Sequence, residues 1–398
     1  MLPFEPLLLE ILGTPTAPFR EHGVRSVLEK NLAGRDVPHF RDPAGNLIIG
    51  VSNQKQYEAA ARSAAKAGRP LLLFLAHLDH PGFHGVKWNE NGTLAVQWLG
   101  GTPTEGLEGA RVWVSFGEHP LGQKYHEGIL SGSVLKEPHR RSLDRSVITF
   151  ADGAISAIGT LRAKDAFGGF RFRAPVWKEG QLFFTQAADD LVGAVCALEA
   201  IAHCRKKSPR SSPRALAVLT RGEEVGFVGA VAHFDLNWAR SVRPAPLVVS
   251  LETSRTLPHA EIGKGPIVRL GDRMNPFSPG YVHLLTETAK KILPERFQRR
   301  IMDGGSCEAS AALMHGFQAI GISVPLGNYH NQGFEGGPDS TPSNGPSPEF
   351  VHEEDILGLF QLCIAFTRGE KLAWADPYKT ARIALAKGHR LFRTELRR

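Results

Sequence analysis

Residues 71–79 read Leu-Leu-Leu-Phe-Leu-Ala-His-Leu-Asp, six apolar residues that end in a histidine and a carboxylate. A run this short, with no polar face, has the character of a strand covered on both sides, as in a parallel sheet. Residues 215–219, 246–251 and 319–324 repeat that character. Helical patterns lie between them. Leu191, Val195, Leu198 and Ala202 recur on one helix face, as do Val282, Leu285, Ala289 and Ile292. The alternation predicts an α/β fold, a mostly parallel sheet sandwiched by helices.

Residues 81–184 read differently. Strand-like pieces at 94–99, 111–116, 146–150 and 170–173 alternate with Gly, Asn and Asp turns, and no amphipathic helix interrupts them. This predicts an inserted β-rich, barrel-like domain. The expected division is therefore a catalytic α/β domain of residues 1–80 and 185–375, an inserted domain of residues 81–184, and a basic tail of residues 376–398. Residues 205–214 and 331–348, rich in Ser, Pro and Gly, are expected to be loops.

The chain's 398 residues suit about two domains. Its four cysteines (Cys196, Cys204, Cys307 and Cys363) lie far apart, with no Cys-x-x-Cys pair to hold zinc or begin a disulfide framework. The apolar run at residues 7–9 is broken by Glu10 and lacks the flanks of a secretory signal. No stretch reaches the roughly 18 apolar residues of a membrane span. A cytoplasmic protein with no membrane partner is expected. The net charge of +7 is unevenly placed, since residues 379–398 hold seven Lys and Arg against Glu395, leaving +1 for the rest. A basic tail on a near-neutral body argues against a specific nucleic-acid reader and for a surface helix or docking arm.

The chemistry is concentrated where the strands stop. The first gives His77 and Asp79, the second leads through Arg221-Gly222 to Glu223-Glu224, the third to Glu252, and the last through Gly327-Asn328-Tyr329 to His330; Asp189-Asp190 opens a helix. In an open α/β sheet, the carboxyl ends of the strands line the ligand crevice. Four or more carboxylates gathered there would repel one another and raise their pKa values unless cations joined them. Two divalent ions sharing one carboxylate answer this. Mixed His and carboxylate ligation suits zinc, with cobalt or manganese as substitutes. Of the adjacent pair Glu223-Glu224, one can ligate while the other serves as base toward the bound water. Asp79, two residues after His77, is placed to accept that histidine's second ring N–H.

His77-Leu-Asp79, Asp189-Asp190, Gly222-Glu223-Glu224-Val225-Gly226 and Tyr329-His330 together resemble the co-catalytic metallo-aminopeptidases of the glutamyl aminopeptidase and tetrahedral aminopeptidase family. Asp42-Pro-Ala-Gly-Asn46, Gly263-Lys-Gly-Pro266 and Gly304-Gly305 add smaller matches, in order, and the resemblance runs to about residue 370. The 112 residues from His77 to Asp189 match the β-rich insertion of that family. The resemblance implies one metal on His77, Asp189 and Glu252 and a second on Asp189, Glu224 and His330, with Asp189 bridging. It further implies Glu223 as the base toward a metal-bridging water, a non-proline cis peptide between Asp189 and Asp190, and assembly of several copies. The sequence departs from the family at three places. His80 stands where Glu is usual, Glu252 where Asp is usual, and the loop after His330 is longer and richer in Gly and Pro.

Taken singly, each of these residues has an ordinary reading. Glu223-Glu224 could be a solvated pair, Asp189 a helix cap, His77 a strand-end histidine. Five strand-end positions agreeing on one constellation outweigh those readings. The function expected is a two-metal aminopeptidase acting on peptides. The alternatives are an amidohydrolase of the same clan that deacylates N-acylated small molecules, or a non-catalytic descendant that binds a partner through its basic tail.

Overall fold

The computed structural model describes residues 2–117, 125–136, 142–150, 160–207, 212–341, 345–368 and 378–397. In chain order these carry α1 (Glu5–Leu12), α2 (His22–Gly34), β1 (His39–Arg41), β2 (Leu47–Ile49), α3 (Gln54–Lys66) and β3 (Leu72–His77). There follow β4 (Gly82–Trp88), β5 (Leu94–Leu99), β6 (Arg111–Phe116), β7 (His126–Leu135), β8 (Leu143–Phe150) and β9 (Ala166–Phe170). Next come β10 (Val176–Glu179), β11 (Leu182–Thr185), α4 (Leu191–Lys207), β12 (Ala215–Thr220), α5 (Val228–Asp235), β13 (Leu247–Arg255) and β14 (Ile267–Asp272). The chain closes with α6 (Pro279–Ile292), β15 (Gln298–Met302), α7 (Glu308–Met314), β16 (Gln318–Leu326), β17 (Glu349–His352), α8 (Glu353–Thr367) and α9 (Lys379–Phe392).

The main sheet has eight strands in the order β1-β2-β12-β3-β13-β16-β14-β15. Its centre is parallel: β12 with β3, β3 with β13, and β13 with β16. Its flanks are antiparallel, β2 to β12 and β14 to β16. Every residue of β3 and β12 is buried, the signature of strands covered on both faces. The mostly parallel α/β sandwich read from the apolar runs is thus the observed architecture, with antiparallel edges that short half-buried strands such as β1 did not announce. One large core joins the sheet to α1, α2, α4 and α8. Helix α4 is buried along most of its length, so its apolar residues are not confined to one face.

Strands β4-β5-β8-β7-β6-β9 close into a barrel with a core of its own. Trp98 stacks on Phe170 at 4.9 Å between ring centroids and meets Phe83 edge-on at 5.0 Å, among the aromatic and aliphatic side chains that fill the interior.

Three local expectations change. The third central strand continues to Arg255, because residues 252–255 pair on with β16 from Ser323 to Leu326. The piece expected at 170–173 is the end of β9, which stops at Phe170. Helix α4 runs to Lys207, into the expected loop at 205–214, of which residues 208–211 lie outside the described residues.

Candidate metal centre

The carboxyl ends of the central strands meet at one edge, and the sheet order decides what arrives there. His77 is the last residue of β3, and Glu223 and Glu224 lie in a single 3-10 turn just beyond β12. Gly222 enters that turn at φ 61° and Gly226 leaves it at φ 111°, left-handed positions that glycine adopts without strain. Glu252 lies within β13, opposite Ser323 of β16, and His330 sits in a 3-10 turn beyond β16. Asp189 precedes α4, and the Asp189–Asp190 peptide is cis.

Five segments therefore converge. His77 Nε2 lies 3.4 Å from Asp189 Oδ1 and 4.0 Å from Glu223 Oε2. His330 Nε2 lies 3.1 Å from Glu224 Oε1 and 3.7 Å from Asp189 Oδ2. Asp189 thus turns one oxygen to each histidine. Three trios bring their donor atoms within 4.8 Å of one another: His77 with Asp189 and Glu252, Asp189 with Glu224 and His330, and His77 with Glu223 and Glu224. All six residues are buried or nearly so.

The role read for Asp79 needs correction. The His77 ring donates from Nδ1 to the backbone carbonyl of Asp79 at 3.0 Å, while the nearer carboxylate oxygen stands 3.7 Å away. That carboxylate instead accepts the amides of Glu223 at 2.9 Å and Glu224 at 3.1 Å. Two backbone N–H groups opening a turn are the stronger demand, and the chain's own carbonyl is left to receive the ring proton. Asp79 still fixes the His77 tautomer, but through its main chain, and its side chain holds the Glu223–Glu224 turn.

The electrostatics describe a place built for positive charge. With Nδ1 donating to a carbonyl, His77 Nε2 presents a lone pair toward Asp189 and Glu223, an arrangement that needs a proton or a cation between them. Burial alone would lower the His77 pKa, yet Glu223 and Asp189 raise it well above the ordinary value. For His330 burial likewise lowers, and Glu224 raises, with a net rise. Burial pushes Glu223 well above the carboxylate range, with Glu224 and Glu252 adding repulsion. It pushes Glu252 up to about 7 although Arg269 opposes it, and Asp79 to about 7. Asp189 Oδ1 is buried and receives no well-directed hydrogen bond. A donor set of two imidazoles and several desolvated carboxylates, one with an unsatisfied oxygen, fits divalent cations.

Several residues here escaped the sequence reading. Glu349 is fully buried and accepts the amides of Ala188, Asp189 and His330. Only its place in Ser347-Pro-Glu349, after the Gly/Pro loop, could have signalled it. Arg269 is buried with Nη1 3.8 Å from Glu252 Oε2, and nothing in its strand pattern set it apart. Glu308, pushed up to about 8 by burial, lies behind the centre at the start of α7. Asp190 accepts from Thr253 Oγ1 at 3.0 Å and from the Gly193 amide at 3.2 Å, anchoring the cis segment to β13 and α4. His80 occupies both ring nitrogens, one 3.1 Å from the Asp189 carbonyl and the other 3.2 Å from Asn331 Oδ1, so it links the backbone of Asp189 to Asn331.

Residues 166–333, which hold Asp189, Glu223, Glu224, Glu252 and His330, match the M42 glutamyl aminopeptidase family. No curated protein sequence matches the chain. Among solved structures, the TET aminopeptidase of the Thaumarchaeota archaeon SCGC AB-539-E09 superposes with a TM-score of 0.70 at 19% identity, covering 94% of this chain and 99% of that one. Aminopeptidase APDkam598 of Desulfurococcus kamchatkensis gives 0.68 at 21%, over 94% and 97% of the two chains. The TET1 peptidase of Pyrococcus horikoshii, described as assembling into a tetrahedron or a large octahedral shell, gives 0.67 at 20%, over 92% and 99%. At these identities the superpositions speak for the fold, and the family match speaks for the chemistry. That matched segment is similar to the M42 glutamyl aminopeptidases, as the motifs implied, and the chain is a peptide-bond hydrolase.

Proposed function

We propose that the protein is a two-metal aminopeptidase that releases amino-terminal residues from peptides. The observation that carries this is Asp189, whose two oxygens face His77 on one side and His330 on the other. His77, Asp189 and Glu252 would hold one divalent ion, and Asp189, Glu224 and His330 the other; zinc suits the donors, with cobalt or manganese as substitutes. Bound there, the ions would supply an acidified water and a polarised scissile carbonyl.

The chain's own residues do the rest. Glu223 takes the proton of the attacking water and returns it to the departing amine, a transfer for which a raised pKa is an advantage. The carboxylate of Asp79 holds the Glu223 amide and so aims that base. The substrate's free ammonium would be drawn to the carboxylates lining the recess, Asp189, Glu223 and Glu252, which restricts cleavage to chain ends. Beyond Glu252, the recess runs past Ser254, Arg255, Leu257, Arg269 and Met302. Two guanidinium groups there favour an acidic amino-terminal side chain.

We assign catalysis to residues 1–80 and 185–375, read residues 81–184 as an inserted domain and residues 376–398 as a tail. Assembly into a homo-oligomer is supported by the shell-forming relative. We read the enzyme as cytoplasmic; none of the described helices is long and apolar enough to cross a membrane.

The test is hydrolysis of free-amine aminoacyl anilides, with N-acetyl counterparts, before and after chelation, alongside metal content per chain. About two ions per chain and chelator-sensitive release from free amines, fastest for glutamyl and aspartyl substrates, are expected. Release from the N-acetyl compounds alone would transfer the protein to the deacylases. Metal-free protein without activity would leave only the binding descendant.

A further inference from the structure

Helix α9 (Lys379–Phe392) turns its apolar residues to water. Leu385 and Leu391 are each 74% exposed, Phe392 60% and the following Leu396 76%. Scattered exposed leucines are ordinary; a stripe of them is not. On a helical period Ala381, Ala384, Leu385, Gly388, Leu391 and Phe392 fall on one face, at spacings of three and four residues. Lys387, Arg390 and Arg393 flank or oppose that face, and residues 379–398 sum to seven cations less one acid, +6. A helix of 14 residues carrying Gly388 is marginal in water on its own, so its stripe calls for a cover.

The length of the tail also matches what the superposition leaves over. Alignment with the Thaumarchaeota enzyme takes in 99% of that chain and 94% of this one, leaving 6% of 398 residues, about 24, without a counterpart. That surplus is about the length of the segment 378–398.

We propose that the face of α9 formed by Leu385, Leu391 and Phe392 lies in the surface of an anionic lipid bilayer, with Lys387, Arg390 and Arg393 at the headgroups. Nucleic acid would pair with the cations but leave the large apolar side chains in water. A headgroup layer satisfies both halves at once: the apolar side chains enter the acyl boundary, and the long basic side chains reach back to the phosphates. Such binding is peripheral and reversible, and copies joined in one assembly would strengthen it by acting together.

Co-sedimentation of the full-length protein tests this, with vesicles of phosphatidylcholine alone and of phosphatidylcholine with about one third phosphatidylglycerol. Binding to the anionic vesicles, weakened by salt and absent for the neutral ones, is expected. Each basic residue near an anionic surface contributes roughly fivefold, so Lys387→Glu with Arg390→Glu should weaken binding by about thirtyfold or more. Leu391→Glu with Phe392→Glu should abolish it. Both variants should keep the peptidase rate of the parent, which also reports correct folding. Three results would overturn the proposal: no vesicle binding; equal binding to neutral vesicles; or loss of self-association, measured by light scattering without lipid, in the Leu391/Phe392 variant. Tighter binding to duplex DNA than to the anionic vesicles would assign the tail to nucleic acid instead.

Discussion

Glu349 Oε1 accepts the amide of His330 at 2.8 Å, while its other oxygen takes the amides of Ala188 at 2.7 Å and Asp189 at 3.2 Å. One buried carboxylate thereby ties the turn after β16 to the segment before α4. His330 has a left-handed backbone at φ 56°, and the Glu349 bond is one of the contacts that hold it there. Asp189 and His330 keep their spacing through a residue that need not touch a metal.

Glu349→Gln should therefore act on metal affinity. The substitution leaves one acceptor oxygen and aims an amide at backbone N–H groups, so the clamp loses a charged acceptor and gains a mismatch. Partners of this kind typically alter metal affinity by about 10- to 100-fold. Competition against a fluorescent chelator measures it; parent-like affinity in a folded variant would remove the clamp from the account.

Glu223→Gln separates chemistry from ligation. The amide is nearly isosteric, keeps the backbone bond to Asp79, and has no basic oxygen. Turnover should fall by about 10²- to 10⁴-fold, the range for a lost general base, while elemental analysis still finds the parent's metal content. A variant that loses metal as well would place Glu223 among the ligands, in the trio it forms with His77 and Glu224.

The legible part of the sequence was the part where burial and charge collide. An apolar run ending in His77, or one leading to Glu223-Glu224, breaks the expectation for a core strand and so announces itself. The barrel was legible because its strands alternate and its turns carry Gly and Asn. Glu349 and Arg269 were not, since each lies in a strand of mixed character where one charged residue is unremarkable, and only tertiary pairing makes it a contact of the site. Asp79 illustrates a finer limit. Spacing placed it beside His77, but whether its carbonyl or its carboxylate met the ring depended on the amides of Glu223 and Glu224 arriving from another strand.

Gly101 gives a prediction that crosses from the barrel to the centre. It follows β5, and a Cβ built on it would stand 2.4 Å from His330 Nδ1. Gly101→Ala forces the imidazole aside or pushes the connection away. The expected outcome is loss of the metal that we propose for Asp189, Glu224 and His330, with the thermal transition of the chelated protein almost unchanged. Isothermal titration with zinc reads it directly, and full stoichiometry at parent affinity would show that the connection yields instead.

Chelation should reverse the way stability depends on pH. Without cations, burial raises Asp79 to about 7, Glu252 to about 7 and Glu308 to about 8. These groups hold protons in the folded chain that the unfolded chain, with ordinary carboxylate values near 4, has already released. The folded state then binds more protons than the unfolded one, so unfolding free energy falls as pH rises from about 4 to about 8. His77 and His330, raised by their carboxylate neighbours, push the same way. Carboxylates held low, such as Asp42 bonded to His233 and Asn46, titrate below this window and do not offset the trend. Bound divalent cations stabilise the ionised forms, so the loaded protein should gain stability over the same range as its ligands lose competing protons. Thermal melts of chelated and zinc-loaded protein from pH 5 to pH 8 should therefore diverge, the chelated midpoint falling and the loaded one holding or rising. Parallel curves would mean that the buried carboxylates are neutralised by something other than metal.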